Sequence, residues 1–235
     1  MIEAEWWDYE DMDELAEAVA GDVAFIIESA IDARGSAVIA LAGGKTPGPI
    51  LEKLAQAKID WKRVTIFPTD ERIVPLDDPM CNVASLARIF LPKGARVVPI
   101  ISEKAADYKA AGGAASSRIS DFHWPPDLVW LGVGEDGHTA SIFNGPDLED
   151  ALNAPAERKA VGVMPDPLPP EAPVARVTLT RNAIQSAKSL VIVLTGHTKR
   201  KLLEQAIKDG DSSPLPVGRV LAGLETPVDI HWCEG

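Results

Sequence analysis

Residues 134–145, Gly-Glu-Asp-Gly-His-Thr-Ala-Ser-Ile-Phe-Asn-Gly, carry three glycines, two carboxylates and one histidine. They follow Asp127-Leu-Val-Trp-Leu-Gly-Val133, an apolar run rich in β-branched and aromatic residues that reads as a buried strand. In an open α/β sheet, ligands bind at the carboxyl ends of the strands. Glycines there let the backbone come close to a ligand. His138, between Gly137 and Thr139, can then direct its imidazole into the crevice. Histidine is the side chain whose unperturbed charge change falls near neutrality. The plainer reading is a helix cap followed by a solvated histidine; the density of glycine and acid around His138 argues against it.

Three more strand ends carry groups suited to an anion. Gly43-Gly-Lys-Thr-Pro47 lies between an apolar run and a helix. Its glycines expose backbone N–H groups at a helix N-terminus, which suits phosphate, and Thr46 adds a hydroxyl. The spacing is neither that of a P-loop nor that of a dinucleotide fingerprint, so a simple tight turn fits equally well. Thr69-Asp-Glu-Arg72 reads alone as a solvated rim, yet Arg72 suits a bidentate grip on phosphate. Lys199 opens a helix in Thr195-Gly-His-Thr-Lys199, where its charge opposes the helix dipole. A bound anion would account for that placement. Arg176 within a strand is either an edge feature or a ligand contact. His123 reads as a surface or packing residue, His231 as structural, His197 as a weak candidate for the site and Cys81 as a packing residue.

The elements that must position these groups alternate between strand and helix. A helix over 11–33 ends near Gly35. A strand over 37–42 is followed by a helix over 49–58, and a strand over 63–67 by a helix over 83–90. A strand over 96–100 precedes an alanine-rich helix over 103–122, weakened at Gly112-Gly113. Beyond the strand 127–133, residues 144–173 read as an irregular, proline- and acid-rich excursion at the site. Strands over 175–180, 189–194 and 228–232 alternate with helices over 181–187, 199–208 and 214–224. This rhythm predicts an α/β fold: a doubly wound, mostly parallel sheet flanked by helices. Residues 1–235 are expected to form a single domain.

The net charge of −12 argues against non-specific binding to nucleic acid or to anionic membranes, while leaving room for a local basic cluster. Cys81 and Cys233 are the two cysteines, far apart, with no spacing that suggests zinc or a disulfide framework. A reducing cytoplasm is the expected compartment. The first residues carry neither the basic nor the apolar region of a signal peptide, and no apolar run reaches the length of a membrane span.

Taken together, these segments closely resemble the 6-phosphogluconolactonases, and more distantly the glucosamine-6-phosphate deaminases of the same superfamily. The resemblance rests on Ala42-Gly-Gly-Lys-Thr-Pro47, Phe67-Pro-Thr-Asp-Glu-Arg72, Asn82, Gly132-Val-Gly-Glu-Asp-Gly-His-Thr-Ala-Ser141, Arg176-Val-Thr-Leu-Thr180, Thr195-Gly-His-Thr-Lys199 and Pro227-Val-Asp-Ile-His-Trp232. They span nearly the whole chain in the family's order. Two positions depart from the pattern: Cys81 stands where Ser is usual, and His197 where an acidic residue is common.

The resemblance implies hydrolysis of a sugar δ-lactone carrying a 6-phosphate. His138 would be the general base for water, with Asp136 orienting the imidazole or its loop. Gly43, Gly44, Thr46, Arg72 and Lys199 would hold the phosphate, and Arg176 would contact phosphate or the sugar acid. Asp70 would shape the site. No cofactor and no metal are implied. The partner is the phosphorylated lactone alone, without nucleic acid or membrane, and the protein would be a monomer or weak oligomer. Two alternatives remain open at this point: an amino-sugar-phosphate deaminase in which Asp70 abstracts a proton, and a non-catalytic sugar-phosphate sensor.

Overall fold

Apolar residues run without a break along the central strands, so each strand buries both faces and needs helices on either side. The computed structural model describes residues 2–44, 46–101 and 105–235. The chain opens with β1 (Ala4–Tyr9) and α1 (Met12–Arg34). The Asp11 side chain caps α1 by accepting from the Asp13 and Glu14 N–H groups, and Gly35 ends the helix at φ +85°. Next come β2 (Ala37–Leu41), α2 (Pro47–Leu54), β3 (Val64–Pro68), β4 (Asp70–Arg72), α3 (Asn82–Phe90) and β5 (Arg96–Val97). Then follow α4 (Tyr108–Ser120), β6 (Leu128–Leu131), α5 (Leu148–Leu152), β7 (Ala160–Val163) and β8 (Arg176–Leu179). The chain closes with α6 (Arg181–Gln185), β9 (Leu190–Thr195), α7 (His197–Asp209), α8 (Pro216–Leu221) and β10 (Val228–Cys233).

Seven strands form one parallel sheet in the order β1-β10-β9-β6-β2-β3-β5. From β2 the chain moves outward to β3 and β5; from β6 it moves the opposite way, to β9 and β10. The order therefore reverses between β2 and β6, and a crevice opens at their carboxyl ends. Two apolar cores flank the sheet. Ile39, Leu41, Ile66 and Trp130 face α1, α2 and α3 in one; Ala40, Phe67, Val129 and Leu131 belong to the other, with α4.

The expected doubly wound parallel sheet is present, and several local readings are corrected. β1 pairs with β10 at the sheet's edge although its half-exposed sequence gave no strand signal. The Ala-rich helix begins at Tyr108, capped by Asp107; residues 103 and 104 of the expected span lie outside the described residues. The excursion over 144–173 contains α5 and β7. β7 belongs to a second, antiparallel sheet of order β4-β8-β7, which the sequence did not suggest. Thr69-Asp-Glu-Arg72 accordingly contributes its own short strand rather than a rim.

The Gly112-Gly113 pair, which reads as a weak point in a helix, is a packing device. A Cβ on Gly112 would lie 1.9 Å from the Gly162 nitrogen, and one on Gly162 would lie 1.7 Å from the Tyr108 carbonyl oxygen. Bare backbone on both elements is what lets α4 lie directly on β7. At the opposite end of the large sheet, buried Asp127 pairs with Arg34 and Lys188 and accepts from the Val38 N–H at 2.8 Å. It ties the start of β6 to the end of α1 and the start of β2.

His231 is structural, as expected. It is buried in β10, with Nδ1 2.9 Å from the Tyr9 hydroxyl. Burial pushes the Tyr9 phenol up to about 12, with Asp22, Glu14 and Asp229 adding to the shift, so the hydroxyl donates and Nδ1 accepts. The Nε2 atom has no hydrogen-bond partner among the described residues; the Asp22 carboxylate stands 3.9 Å away. Burial holds the imidazole below its usual range, against the opposing pull of Asp22 and Asp229. The folded chain therefore resists protonation that the unfolded chain accepts. This contribution to stability is full above about pH 6.5 and is lost as pH falls from there toward the lower folded value. Thermal unfolding followed between pH 8 and 5 should show a smaller loss of Tm on acidification for His231→Gln than for the wild type. Identical pH slopes would show that His231 does not carry the effect.

Candidate active site

The crevice between β2 and β6 is a cleft of about 210 Å³. Gly43, Gly44, Thr46, Asp70, Arg72, His138, Arg176 and Lys199 all line it. Residues far apart in sequence reach it from distinct elements: the turn after β2, the strand β4, the loop after β6, the strand β8 and the first turn of α7. Asp136 does not line the cleft; it supports His138 from the side.

The loop after β6 is built to hold that support. The Asp136 carboxylate Oδ1 stands 2.5 Å from His138 Nδ1 and accepts the His138 backbone N–H at 3.1 Å. Burial works against the Asp136 charge, but the hydrogen bond and charge of His138 more than offset it and hold this carboxyl below its ordinary range. Asp136 is therefore an anion and an acceptor, which leaves Nδ1 as the donor and Nε2 as the basic nitrogen. Nε2 has no hydrogen-bond partner among the described residues. The loop closes on itself through Gly134 N–H to the His138 carbonyl at 2.9 Å and Gly137 N–H to the Gly134 carbonyl at 3.0 Å. A Cβ at Gly134 would lie 2.1 Å from His138 Nδ1 and 2.7 Å from Asp136 Oδ1. Gly137 takes φ +78°, and Ala140, on the cleft wall, takes φ +48°, a left-handed conformation that costs a non-glycine residue free energy.

The other wall is a network of buried charge on the small sheet. Arg72 and Arg176 are directly opposed on β4 and β8, and Asp70 faces Thr178. Asp70 Oδ2 accepts from Ser141 Oγ at 2.5 Å, and Arg176 Nη1 approaches the same Oγ at 3.5 Å. Arg176 is 3% exposed. Burial pulls its guanidinium down from the usual value, with Asp70 opposing the shift; a guanidinium nevertheless stays charged in a protein. Arg72 Nη1 donates to the Met80 carbonyl at 2.8 Å. The Nε atoms of Arg72 and Arg176 have no protein partner among the described residues. Two adjacent cations with donors to spare favour an anionic ligand. Arg176 is thus a buried residue of the central strand of its sheet rather than an edge feature.

Three groups that the sequence did not single out for the site also matter. Glu71 is fully buried and accepts from the N–H groups of Arg72, Asn82 and Val83 at 2.9, 2.7 and 2.7 Å. Burial pushes its carboxyl up to about 7, with Asp70 adding to the shift and the three N–H donors opposing it. It fixes the start of α3. Asn82, at that start, donates to the Asp70 carbonyl at 2.8 Å, and its side chain fills the space beside Gly43, where a Cβ would lie 2.1 Å from Asn82 Oδ1. Ser141 is the third, linking Asp70 to Arg176. The helix-initiating position of Asn82 and the unbroken motif through Ser141 were the available signals.

In the turn after β2, Thr46 precedes α2 without capping it through its side chain, and Pro47 occupies the first turn. Lys45 lies outside the described residues. Lys199 sits in the first turn of α7 and reaches the cleft. His197, two residues earlier, is exposed, packs on Trp232 and stands 3.3 Å from Glu234, outside the cleft lining. His123 is exposed and Cys81 is buried, its Sγ 3.7 Å from Glu71. Among the described residues, no three His, Cys, Asp or Glu side chains gather into a set that could hold a metal ion. Among the same residues, no helix is long and apolar enough to cross a membrane.

A doubly wound α/β sheet with a histidine–carboxylate pair and a cationic cleft at its switch point suits an enzyme that acts on an anionic substrate. The family described as glucosamine-6-phosphate isomerases/6-phosphogluconolactonase matches residues 10–232, and the chain belongs to it. A 6-phosphogluconolactonase of Rhizobium meliloti is 36% identical over 228 residues, covering 95% of this chain and 96% of the relative. One from Pseudomonas putida is 35% identical, covering 95% and 90%. The crystal structure of a 6-phosphogluconolactonase from Shewanella baltica superposes with a TM-score of 0.88 at 30% identity, covering 98% of both chains.

The loop geometry makes a direct test of the His138–Asp136 pair. Gly134→Ala should displace the imidazole and lower catalytic turnover by about 10²-fold, the scale of a lost general base. Circular dichroism should remain native, because the three atoms nearest that Cβ belong to the His138 and Asp136 side chains. Full activity in Gly134→Ala would show that the pair is not held as described.

Proposed function

We propose that the protein hydrolyses 6-phospho-D-glucono-1,5-lactone to 6-phosphogluconate, in the oxidative pentose phosphate or Entner–Doudoroff pathway. The observation that carries this reading is the Asp136-held His138 in a cleft otherwise lined by Arg72, Arg176 and Lys199. A lactone is an activated ester, so a base for water and an electrostatic environment for an anion are enough for the reaction.

Each group then has a task. The phosphate docks between Lys199, Arg72 and the backbone of Gly43, Gly44 and Thr46. Water approaches the lactone carbonyl next to His138. As its oxygen bonds to C1, Nε2 takes its proton, and the Asp136 carboxylate stabilises the imidazolium that forms. Collapse of the tetrahedral intermediate breaks the bond from C1 to the ring oxygen. The imidazolium returns its proton to that leaving oxygen, which becomes the 5-hydroxyl. Arg176, locked by Ser141, Asp70 and the Ala172 carbonyl, supplies fixed positive charge beside the sugar acid. Asp70 is engaged by Ser141 and shapes this wall. The reaction needs no metal or cofactor. The acidic surface and two buried thiols support a cytoplasmic enzyme, a monomer or weak oligomer, that meets neither nucleic acid nor membrane.

Hydrolysis of freshly prepared lactone, followed against its spontaneous rate, tests the reading. His138→Asn should fold normally and lose activity by about 10²-fold or more. The wild-type rate should fall on the acid side, as protonation removes the base. Asp70→Asn should be less impaired than His138→Asn, and glucosamine 6-phosphate should release no ammonia. Near-normal turnover in His138→Asn, or ammonia release abolished by Asp70→Asn, would overturn it.

The phosphate grip is tested separately. Lys199→Ala should raise KM for the phosphorylated lactone by an amount worth about 1.5–3 kcal/mol, the loss of one charge-assisted hydrogen bond. Its preference over unphosphorylated gluconolactone should narrow correspondingly. Unchanged discrimination would place the phosphate elsewhere.

A further inference from the structure

Phe143 belongs to the loop that carries His138 and has no role in the scheme above. Its ring stacks on the His138 imidazole, with centroids 4.2 Å apart and planes inclined by 24°. The Arg176 guanidinium lies over the same ring, 5.5 Å from its centroid. One aromatic residue thus touches both the base and the buried cation of the opposite wall.

The loop is shaped to bring this about. The Ile142 N–H donates to the Thr139 carbonyl at 2.9 Å, and Ala140 within that turn takes φ +48°. The chain doubles back, so that Phe143 returns over the residue five positions earlier. Beyond it, Asn144 Nδ2 donates to the Pro214 carbonyl at 3.1 Å. The Val217 N–H donates to the Gly137 carbonyl at 3.0 Å. The segment leading into α8 therefore braces the loop on both sides of the stacked pair.

The hydrogen bond from Nδ1 to Asp136 fixes the imidazole at one point of its edge, and leaves the ring free to tilt about that contact. An aromatic face packed along the ring removes the tilt. It also changes the energy of the proton transfer. The neutral imidazole gains dispersion contact from the stack. The imidazolium gains in addition an attraction to the negative face of the aromatic ring. The other charged groups around the base are Asp136 on its own loop, Asp70 and Arg72 on β4, Arg176 on β8 and Lys199 on α7. Three of these five are cations, which oppose a further positive charge in the cleft. Phe143 works in the other direction without adding an anion that would repel the substrate.

We propose that Phe143 is a positioning residue for the base: its ring fixes the tilt of His138 and stabilises the imidazolium formed as water attacks. The proposal rests on the reading of His138 as general base. Phe143→Leu keeps an apolar side chain and removes the aromatic face; Phe143→Tyr keeps the face. Steady-state kinetics of lactone hydrolysis from pH 5 to 8, corrected for spontaneous opening, would be measured for both variants, the wild type and His138→Asn. In Phe143→Leu, kcat should fall about threefold to tenfold with KM changed less than about twofold. The acid-side fall in its rate should move to lower pH, because a less stabilised imidazolium forms less readily. Phe143→Tyr should retain wild-type kcat and pH profile. A Phe143→Leu enzyme with wild-type kcat and profile, beside an inactive His138→Asn, overturns the proposal alone. So does an equal loss in Phe143→Tyr and Phe143→Leu, or a loss confined to KM. Near-normal turnover in His138→Asn overturns the base reading and this proposal together.

Discussion

The pairing of β2 with β6 is the constraint on which the site depends. These strands are separated in sequence by α2, β3, β4, α3, β5 and α4, yet they are neighbours in the sheet. Because the chain departs from β2 in one direction and from β6 in the other, no connecting helix covers the ends of this pair. The turn carrying Gly43 and Gly44 and the loop carrying His138 are left facing each other across open space. Moving β6 to any other place in the sheet would separate the Gly43–Gly44 turn from His138. The apolar content of β2 and β6, buried on both faces, makes that pairing costly to change.

The second sheet completes the cleft by a different logic. β4 leaves the end of β3 and turns away from the large sheet, held by Thr69, whose N–H donates to the Leu41 carbonyl and whose carbonyl accepts from the Leu179 N–H. This hinge of two backbone hydrogen bonds sets where Asp70, Arg72 and Arg176 stand. Buried charges are costly unless they are paired or held by hydrogen bonds. Here the cost is spread over carboxylates and guanidinium groups in one network, with Ser141 as the joint. An acidic protein thereby presents a cationic pocket, and its surface charge does not describe its site.

Several of the glycines are explained by what they avoid rather than by flexibility. Gly134 leaves room for the Asp136–His138 contact, Gly43 for the Asn82 side chain, and Gly112 with Gly162 for the packing of α4 on β7. In each case a methyl group would collide with the atoms that give the element its purpose. Only the first of these lies in the motif that carries His138; the other three act from further away.

How much of this was legible in the sequence follows from the range of the interactions involved. Buried parallel strands such as Ala37–Leu41 and Leu190–Thr195 announce themselves, because both faces are apolar and the signal is local. Capping by Asp11 and the stop at Gly35 are local for the same reason. The residues suited to chemistry were visible too, since glycine, histidine and arginine at strand ends have no packing purpose to explain them, and the family's motifs gave their order. The edge strand β1 and the small sheet were not visible, although 175–180 reads as a strand and becomes β8. Their strands are short or half-exposed, and their pairing partners lie far along the chain. Asn82 and Ser141 stood in the family's motifs without a role, and Glu71 carried no mark that told it from a solvated rim, because each acts through a contact that exists only once α3, β4 and the loop after β6 have met. Sequence alone determined which residue types the protein could bring to a site and which strands would be buried. Tertiary structure decided which of them meet, because strand order, the hinge at Thr69 and the glycine clearances depend on atoms tens of residues apart.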